Sequence, residues 1–526
     1  MASVTGAPPE LPADSADPAR LARIARGGAF NLFGAVLAAV LTFAFAVVVT
    51  HGVNRTQAGV FFALTSAFVI AGTIARLGVP TGLVYFIARY RATGDQDRLR
   101  SVIRQAIVPV TVLSIALGAA GLLFAPQLAS ALIRNHHGDD GSVALIRLLA
   151  VCVLFSALTD VGVGATRGFG VMRPLVIVDR IGRPLAQLVL AALSITLGAR
   201  SAVGLGVAWA VPFVPSAVVL LWWAHRLRTK AERRSGQPPA TERAARGEGA
   251  SFWRFTAPRS LGSIAQMALQ RSDIVLLGVL RGPRDAAVYA AATRFLVFGQ
   301  LVTGAISTTI QPQIAHLLAK DDRLGAASVY RVATMWLVLL TWPIYLLSAV
   351  FAEQLLHIFG RAYTAGAAVI VVLSCAMLVA SACGTVDVML VMAGRATWTM
   401  ANSFVALAVN IALNLFLIPR WGILGAAVAW AVAILVNNLA PLTQLAASMR
   451  LHPFGRYSTL ALLLTAGCFG LLPLLAHLAS GGSVIAAFVA TGIGGLLYAA
   501  GLWRGRQGFE LKALTSIRRR VAQPGA

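Results

Sequence analysis

The sequence predicts an all-α integral membrane protein of about fourteen transmembrane helices, built as two six-helix repeats with two extra C-terminal helices. Three observations carry that prediction. The 526 residues are 58% hydrophobic and only 12% charged, whereas a soluble domain carries about 25% charge, and mean hydropathy is +0.77. Most side chains therefore face something other than water. Runs of roughly 20 apolar residues, enough to cross the hydrocarbon core, recur along the chain. Lys and Arg gather in alternate loops, as membrane orientation requires.

The elements follow in order. Residues 1–26 form a cytoplasmic tail whose opening is rich in Pro, Ala and Asp. It lacks the charged start and short apolar run of a signal peptide, so span 1 is expected to act as the insertion signal. A first bundle, 27–225, holds spans 1 to 6 at 29–50, 57–79, 102–124, 143–165, 174–197 and 201–224. Pro80 follows span 2, Pro109 lies in span 3 and Pro212 in span 6; neighbouring helices absorb the lost backbone bonds. Residues 226–250 read as a basic cytoplasmic linker. A second bundle, 251–449, holds spans 7 to 12 at 254–280, 286–309, 332–356, 365–390, 397–418 and 422–447, with Pro343 in span 9. The segment 450–503 supplies spans 13 and 14, at 457–477 and 483–503. The basic cytoplasmic tail, 504–526, carries Phe509, Leu511, Leu514 and Ile517 among its cations, the pattern of an amphipathic helix in the inner interface.

With these boundaries, 29 Lys and Arg fall in the loops and tails of one side and 7 in those of the other. The excess places both termini in the cytoplasm. It also accounts for the net charge of +25 without nucleic acid, because the basic residues sit in short clusters between apolar spans. Cys152, Cys375, Cys383 and Cys468 all fall in apolar segments and form no CxxC pair, so neither a disulfide framework nor a metal site is expected. The run His136 to Asp140 holds metal-ligand residue types but no closed ligand geometry, and reads as a solvated loop tip.

The two bundles resemble each other. Ala58 to Thr65 matches Ala286 to Thr293 at an offset of 228 residues; Ile87-Ala88 matches Ile314-Ala315 and Ser101 to Arg104 matches Ser328 to Arg331 at 227; Gly204 to Val211 matches Gly425 to Val432 at 221. Each match is weak alone, but four in one order with a slowly drifting offset exceed what an Ala/Val-rich composition produces. The repeat relates spans 1–6 to spans 7–12. Six is even, so both halves enter the membrane in the same direction and are related by a pseudo-two-fold axis along the membrane normal. That is the parallel-repeat design of transporters, with a site between halves that rock against each other.

The residues also carry a family resemblance over nearly the whole chain. Leu77 to Arg89 followed by Gly94-Asp95, Ala165 to Gly170, Gln270 to Asp273 leading to Val288 to Ala292, and Asn410 to Pro419 running into Gly422 to Trp430 resemble the polysaccharide-transporter branch of the multidrug/oligosaccharidyl-lipid/polysaccharide exporter superfamily. Two positions depart from its pattern. Ile274 stands where a basic residue often follows the span-7 aspartate, and Arg76 stands where an Asp often precedes Leu77-Gly78. The resemblance implies a flippase that moves a polyprenyl-diphosphate-linked oligosaccharide from the cytoplasmic to the outer leaflet of a bacterial inner (cell) membrane for envelope polysaccharide synthesis. It would act as a monomer, with a polysaccharide polymerase and glycosyltransferases as partners in the process.

Such a protein must shelter a charged diphosphate and sugars, which calls for cations in a central cavity. Intramembrane charges are costly and therefore functional candidates. Arg271 lies well inside span 7 and Arg294 about nine residues into span 8, roughly 13 Å along its axis. Arg76 lies in span 2 beside the Gly78–Pro80 break, and Arg259 in the cytoplasmic half of span 7. These four are expected to bind the diphosphate by charge-assisted hydrogen bonds; the competing reading has them snorkel or pair with carboxylates. Asp160, Asp273 and Asp387, in spans 4, 7 and 10, are candidates for coupling ion flow to transport, or else structural partners of arginines. Asp179, Arg180 and Arg183 at the start of span 5 form a candidate gate with Arg167 and Arg173, or anchor the interface. Asn410 and Asn414, one turn apart, read as interhelical hydrogen-bond glue.

No G-x-x-x-x-G-K-[ST], H-E-x-x-H or G-x-S-x-G occurs, so neither a cofactor nor an enzymatic centre is expected. Three other classes compete. A multidrug/cation antiporter of the same superfamily would favour twelve spans and an acidic cavity. A membrane-bound sugar polymerase would carry a large outer loop. A non-transporting scaffold would have no use for buried charge.

Overall fold

The computed structural model describes residues 18–133, 140–235, 242–481, 483–506 and 508–509; of 18–29, 140, 235 and 242–248 only the backbone is described. The leader before Pro18, residues 136–139 of the His-rich run, the middle of the basic linker and the tail with Leu511, Leu514 and Ile517 lie outside the described residues. Among those described, all regular structure is helical.

Twelve helices are long and apolar enough to cross a membrane, and the chain is a multi-pass membrane protein. The twelve correspond to the expected spans 1–4, 6 and 8–14. Spans 5 and 7 are also helical, as Leu175–Gly182 running into Arg183–Thr196 and as Glu242–Leu280. Their charges keep them out of the apolar set. Asp179, Arg180 and Arg183 stud the first; Arg254, Arg259, Arg271 and Asp273 stud the second. The expected total of about fourteen therefore depends on these two helices. Helix Phe213–Ser235 overruns span 6, and Glu242–Leu280 starts before span 7. Most of the expected 226–250 linker is thus helical extension of its neighbours.

Local chemistry sets the helix starts. Asn54 Oδ1 accepts from Gln57 N at 2.9 Å, Ser201 Oγ from Gly204 N at 3.1 Å and Asp322 Oδ1 from Gly325 N at 2.8 Å, each satisfying an otherwise unpaired first-turn N–H. Span 2 is broken in two, Arg55–Ala75 and Val79–Thr93. Leu77 and Gly78 between them have φ of 50° and 68°, and Pro80 opens the second piece, where its missing N–H is harmless. Gly78 is needed twice over: for its left-handed backbone, and because a Cβ there would stand 2.9 Å from Ser260 Cβ of span 7.

The two bundles meet along the segments that repeat. Ala58 to Leu64 and Ala286 to Ala292 are buried almost without interruption, and the two helices pack on each other. Equivalent segments in mutual contact is what a two-fold axis between the halves requires. Gly59 permits the approach, since a Cβ there would collide with the Pro283 carbonyl. Arg284 Nε donates to Thr56 Oγ1 at 3.1 Å and an Arg55 guanidinium N–H to the Ala362 carbonyl at 2.8 Å, tying the same end of the interface. One apolar core runs through both bundles. Spans 13 and 14 pack apart from this interface, on span 9: Tyr498 Oη donates to Leu339 O at 2.7 Å, and Trp336 Nε1 to Phe509 O at 3.2 Å. Phe509 is fully buried.

Candidate functional site

A cavity of about 340 Å³ opens inside the first bundle, walled by spans 1, 2, 4, 5 and 6 and closed by two arginines from the second bundle. The stripe of span 2 that faces it runs Phe61/Phe62, Thr65/Ser66, Phe68/Val69, Gly72/Thr73 and Arg76, the three-to-four-residue spacing of one helix face. Apolar rings form much of the wall. Trp209 meets Phe61, Phe68 and Phe213 edge-on, with centroids 6.4, 5.3 and 5.4 Å away.

Against this wall stand five guanidinium groups, of Arg76, Arg180, Arg183, Arg271 and Arg294, and two carboxylates, of Asp160 and Asp179. The surplus is three positive charges. Arg76 pairs with Asp160 at 3.1 Å, both partly open to the cavity. Arg183 holds Asp179 at 2.9 Å, one turn away, and lies over the Phe213 ring at 4.7 Å. An Arg180 N–H donates to the Asn31 carbonyl at 2.7 Å. Arg183 belongs to the helix that follows a π-helical turn, Leu175–Gly182, which carries Asp179 and Arg180; wide turns of this kind are frequent at functional sites.

Arg271 and Arg294 differ from the other three. Neither has a carboxylate or hydrogen-bond partner among the described residues, and the Nε of each is buried and unsatisfied. Arg294 sits in a single 3₁₀ turn, Thr293–Phe295, that interrupts span 8, with its guanidinium 5.5 Å from the Phe62 ring centre. Two half-buried guanidinium groups without counter-charges among the described residues present N–H donors of the kind that pair with anions.

Seven of the candidates thus share one cavity: Arg76, Arg271, Arg294, Asp160 and the trio Asp179, Arg180 and Arg183. Arg167 and Arg173, their expected companions, do not line it. Arg259 lies elsewhere as well: it is exposed, donates to the Phe255 carbonyl at 2.8 Å and stacks 3.8 Å over the Phe255 ring. Asp273 is 2% exposed and faces away from Arg271. It accepts from Tyr289 Oη at 2.8 Å and Asn414 Nδ2 at 2.7 Å, while Ser272 Oγ donates to Asn410 Oδ1 at 3.1 Å. The two asparagines therefore link span 11 to span 7. Asn414 Oδ1 and Asn410 Nδ2 are left buried and unpaired beside that carboxylate. Asp387 lines a different cavity, in the second bundle. No group of three His, Cys, Asp or Glu among the described residues is arranged to hold a metal ion.

The aromatic wall and the hydroxyls of Thr42, Thr65, Ser66 and Thr73 are absent from the cavity residues expected from the sequence, all of which are charged. The signal was available: stepping back from Arg76 by three and four residues along span 2 reaches each of its contributions.

Comparisons with known proteins bear on this arrangement. A family described as polysaccharide biosynthesis protein matches residues 24–318, more than half the chain, and the MatE family matches 258–416. A probable low-salt glycan biosynthesis flippase, Agl15 of Haloferax volcanii, is 24% identical over 190 residues, which is 36% of this chain and 40% of that protein. The chain thus matches less than half the length of this curated relative. Among solved structures, the lipid II flippase MurJ in an inward closed conformation superposes with a TM-score of 0.68 at 13% identity, covering 93% of this chain and 99% of that one. A multidrug resistance MATE family transporter in an inward-facing conformation gives 0.64 at 15% identity, covering 80% and 99%. At such identities the likeness is one of fold.

Proposed function

The chain belongs to the polysaccharide biosynthesis protein family, and from that premise we propose that it is a flippase for polyprenyl-diphosphate-linked oligosaccharide. The observation that carries this reading is the surplus of three positive charges in a cavity otherwise walled by aromatic rings and hydroxyls. A diphosphate supplies the missing anion. Arg271 and Arg294, which have no hydrogen-bond or ion-pair partner among the described residues, take its oxygens in charge-assisted hydrogen bonds. Arg76 and Arg183, each already paired with an aspartate, act as the exchangeable part: an arriving phosphate competes with the carboxylates, and its departure restores the pairs.

Because the cavity lies mainly in the first bundle while Arg271 and Arg294 come from the second, rocking of the halves about the span 2–span 8 contact alters how many cations reach the ligand. That is an alternating-access mechanism, running from the cytoplasmic to the outer leaflet, with spans 5 and 7 crossing the membrane and both termini cytoplasmic. The setting is the inner membrane, and the protein works as a monomer beside the glycosyltransferases and polymerase that make and use its cargo. Asp273 and Asp387 are the coupling sites; Asp160 is reserved for Arg76. The basic surplus disfavours a cation antiporter, whose ligand the three excess charges would repel.

The test uses full-length protein in liposomes containing a lipid-linked sugar labelled on the inner leaflet. Arg294→Ala and Arg271→Ala should each slow translocation by about 10- to 100-fold, the loss of one charged hydrogen-bonding partner. Wild-type rates at equal protein levels would remove the proposal. Coupling is tested separately: if Asp273→Asn and Asp387→Asn both leave the rate unchanged and independent of pH, neither carboxylate couples.

A further inference from the structure

Span 7 separates two cavities. Met267 and Arg271, four residues apart, face the basic one. Gln266 and Gln270, also four apart and one residue earlier, face the other, a space of about 280 Å³ within the second bundle. Adjacent stripes of one helix thus look into both, displaced along its axis by about 1.5 Å.

The second cavity has a different chemistry. It has no cation. Five carboxamides line it, Gln266, Gln270, Gln300, Asn437 and Asn438, with the indole of Trp430 and one carboxylate, Asp387. Several of these groups lack protein partners. The three glutamines and the Asp387 carboxylate make no hydrogen bond or ion pair among the described residues. Tyr345 also lines the space; it is 1% exposed, and its Oη is buried and unsatisfied. The buried Tyr345 hydroxyl is costly inside a membrane protein unless a polar ligand or water meets it, while the half-buried Gln266, Gln300 and Asp387 and the exposed Gln270 turn open polar atoms to the same space.

The lining selects the ligand class. A phosphate finds no positive charge here. A small cation would use the carboxylate and carboxamide oxygens and leave every NH₂ donor unmet. A sugar hydroxyl both donates and accepts, as a carboxamide does, and the C–H face of a pyranose can lie on an indole. The volume falls near the lower end of the roughly 300–1,000 Å³ of small-molecule sites, room for one or two rings.

We propose that this amide-lined cavity is a glycosyl subsite, which holds a distal sugar of an oligosaccharide whose diphosphate lies across span 7 between Arg271 and Arg294; the first sugar, bonded to the diphosphate, is too close to it to reach past a helix about 10 Å thick. The inference rests on the flippase reading and adds where the sugar is read.

Binding is measured on the full chain in nanodiscs with four probes: bare polyprenyl diphosphate, and the same carrier bearing a tetrasaccharide that ends in a hexose, an N-acetylhexosamine or a 6-deoxyhexose. Wild type should bind at least one glycosylated carrier about tenfold more tightly than the bare one, the worth of a few neutral hydrogen bonds. Gln266→Leu/Gln270→Leu, and independently Asn437→Leu, should erase that preference and leave bare-carrier affinity within about threefold. An unchanged bare-carrier Kd also shows that the variants fold. Arg294→Ala should weaken all four probes alike. A preference that survives both glutamine and asparagine variants, wild type that treats all four alike, or sodium binding that these variants abolish without any glycosyl preference would each overturn the proposal while leaving the flippase reading intact. Failure of wild type to bind any carrier would overturn both.

Discussion

At the scale of single residues, what matters is which buried polar groups have partners. Among the described residues Asp273 has two, Tyr289 Oη and Asn414 Nδ2, and Arg271, two residues before it, has none. The sequence separation suggested an ion pair, but at about 100° per residue the two side chains leave the helix on opposite faces. Two predictions follow from the pairing. Asp273→Leu strands both donors inside the bundle and should cost about 2–4 kcal/mol, the sum of two orphaned groups, read as a fall in Tm of the detergent-solubilised protein. Tyr289→Phe removes one donor and leaves the carboxylate with its amide partner, and should cost about 1 kcal/mol. If the larger substitution costs no more than the smaller, the aspartate does not hold these spans together. Asp160 belongs to the cavity rather than the core. Asp160→Asn frees Arg76 from its 3.1 Å pair and raises the positive surplus by one, so it should tighten binding of bare polyprenyl diphosphate several-fold and slow its release. Weaker binding would mean that Arg76 needs the aspartate to hold it in place.

Among the elements, the contact between the first piece of span 2 and the start of span 8 stands out as the place about which the halves would rock under the proposed mechanism. Alanines recur along both of its buried stretches, and at Gly59 the missing side chain lets the Pro283 carbonyl come close, the small-residue contact that brings helix backbones together in membranes. Gly59→Val should splay this end apart and reduce translocation by about tenfold or more, the scale of 1.4 kcal/mol per decade, with Gly59→Ala between it and wild type. A Thr56→Cys/Arg284→Cys pair, in a chain whose four native cysteines are replaced, should cross-link in the parent and lose the cross-link when Gly59→Val is added. Retained cross-linking would show that the interface tolerates the methyl groups. Much at this scale was legible in the sequence. The repeat placed Ala58 to Thr65 and Ala286 to Thr293 in equivalent positions, and the Gly-Pro pair marked the break in span 2. The π-helical turn at Leu175–Gly182 and the 3₁₀ turn at Arg294 were not legible. Backbone of this kind is set by packing around it, and no residue type announces it. The same limit explains Arg259: hydrophobic length gives depth along a helix, but the face a charge occupies comes from its neighbours.

For the whole molecule, the two charged helices decide the topology. Composition alone supports twelve crossings; spans 5 and 7 fall outside that set because they carry the cavity's own charges. An element that lines a polar chamber need not be apolar on that face, so a hydropathy threshold rejects the helices nearest the function. If both cross, loops alternate and the basic residues sort 29 against 7 between the two sides. If both fail to cross, the loops between span 5 and span 7 change sides, Arg200 joins the basic side and the stretch around Arg226 to Arg234 leaves it. The repeat then also fails, since each half would hold five crossings and enter in the opposite direction. Single cysteines at Gly170, Arg200, Gly249 and Arg281, again without the native four, discriminate between these topologies by labelling with a membrane-impermeant maleimide in intact cells. Crossing by both helices predicts labelling at 200 and 281 and protection at 170 and 249 until the cells are opened. Labelling at 200 only after opening would show that span 5 does not cross. The basic cavity would then sit against a helix lying at the membrane surface, where water screens its surplus charge and no sheltered path for a diphosphate remains.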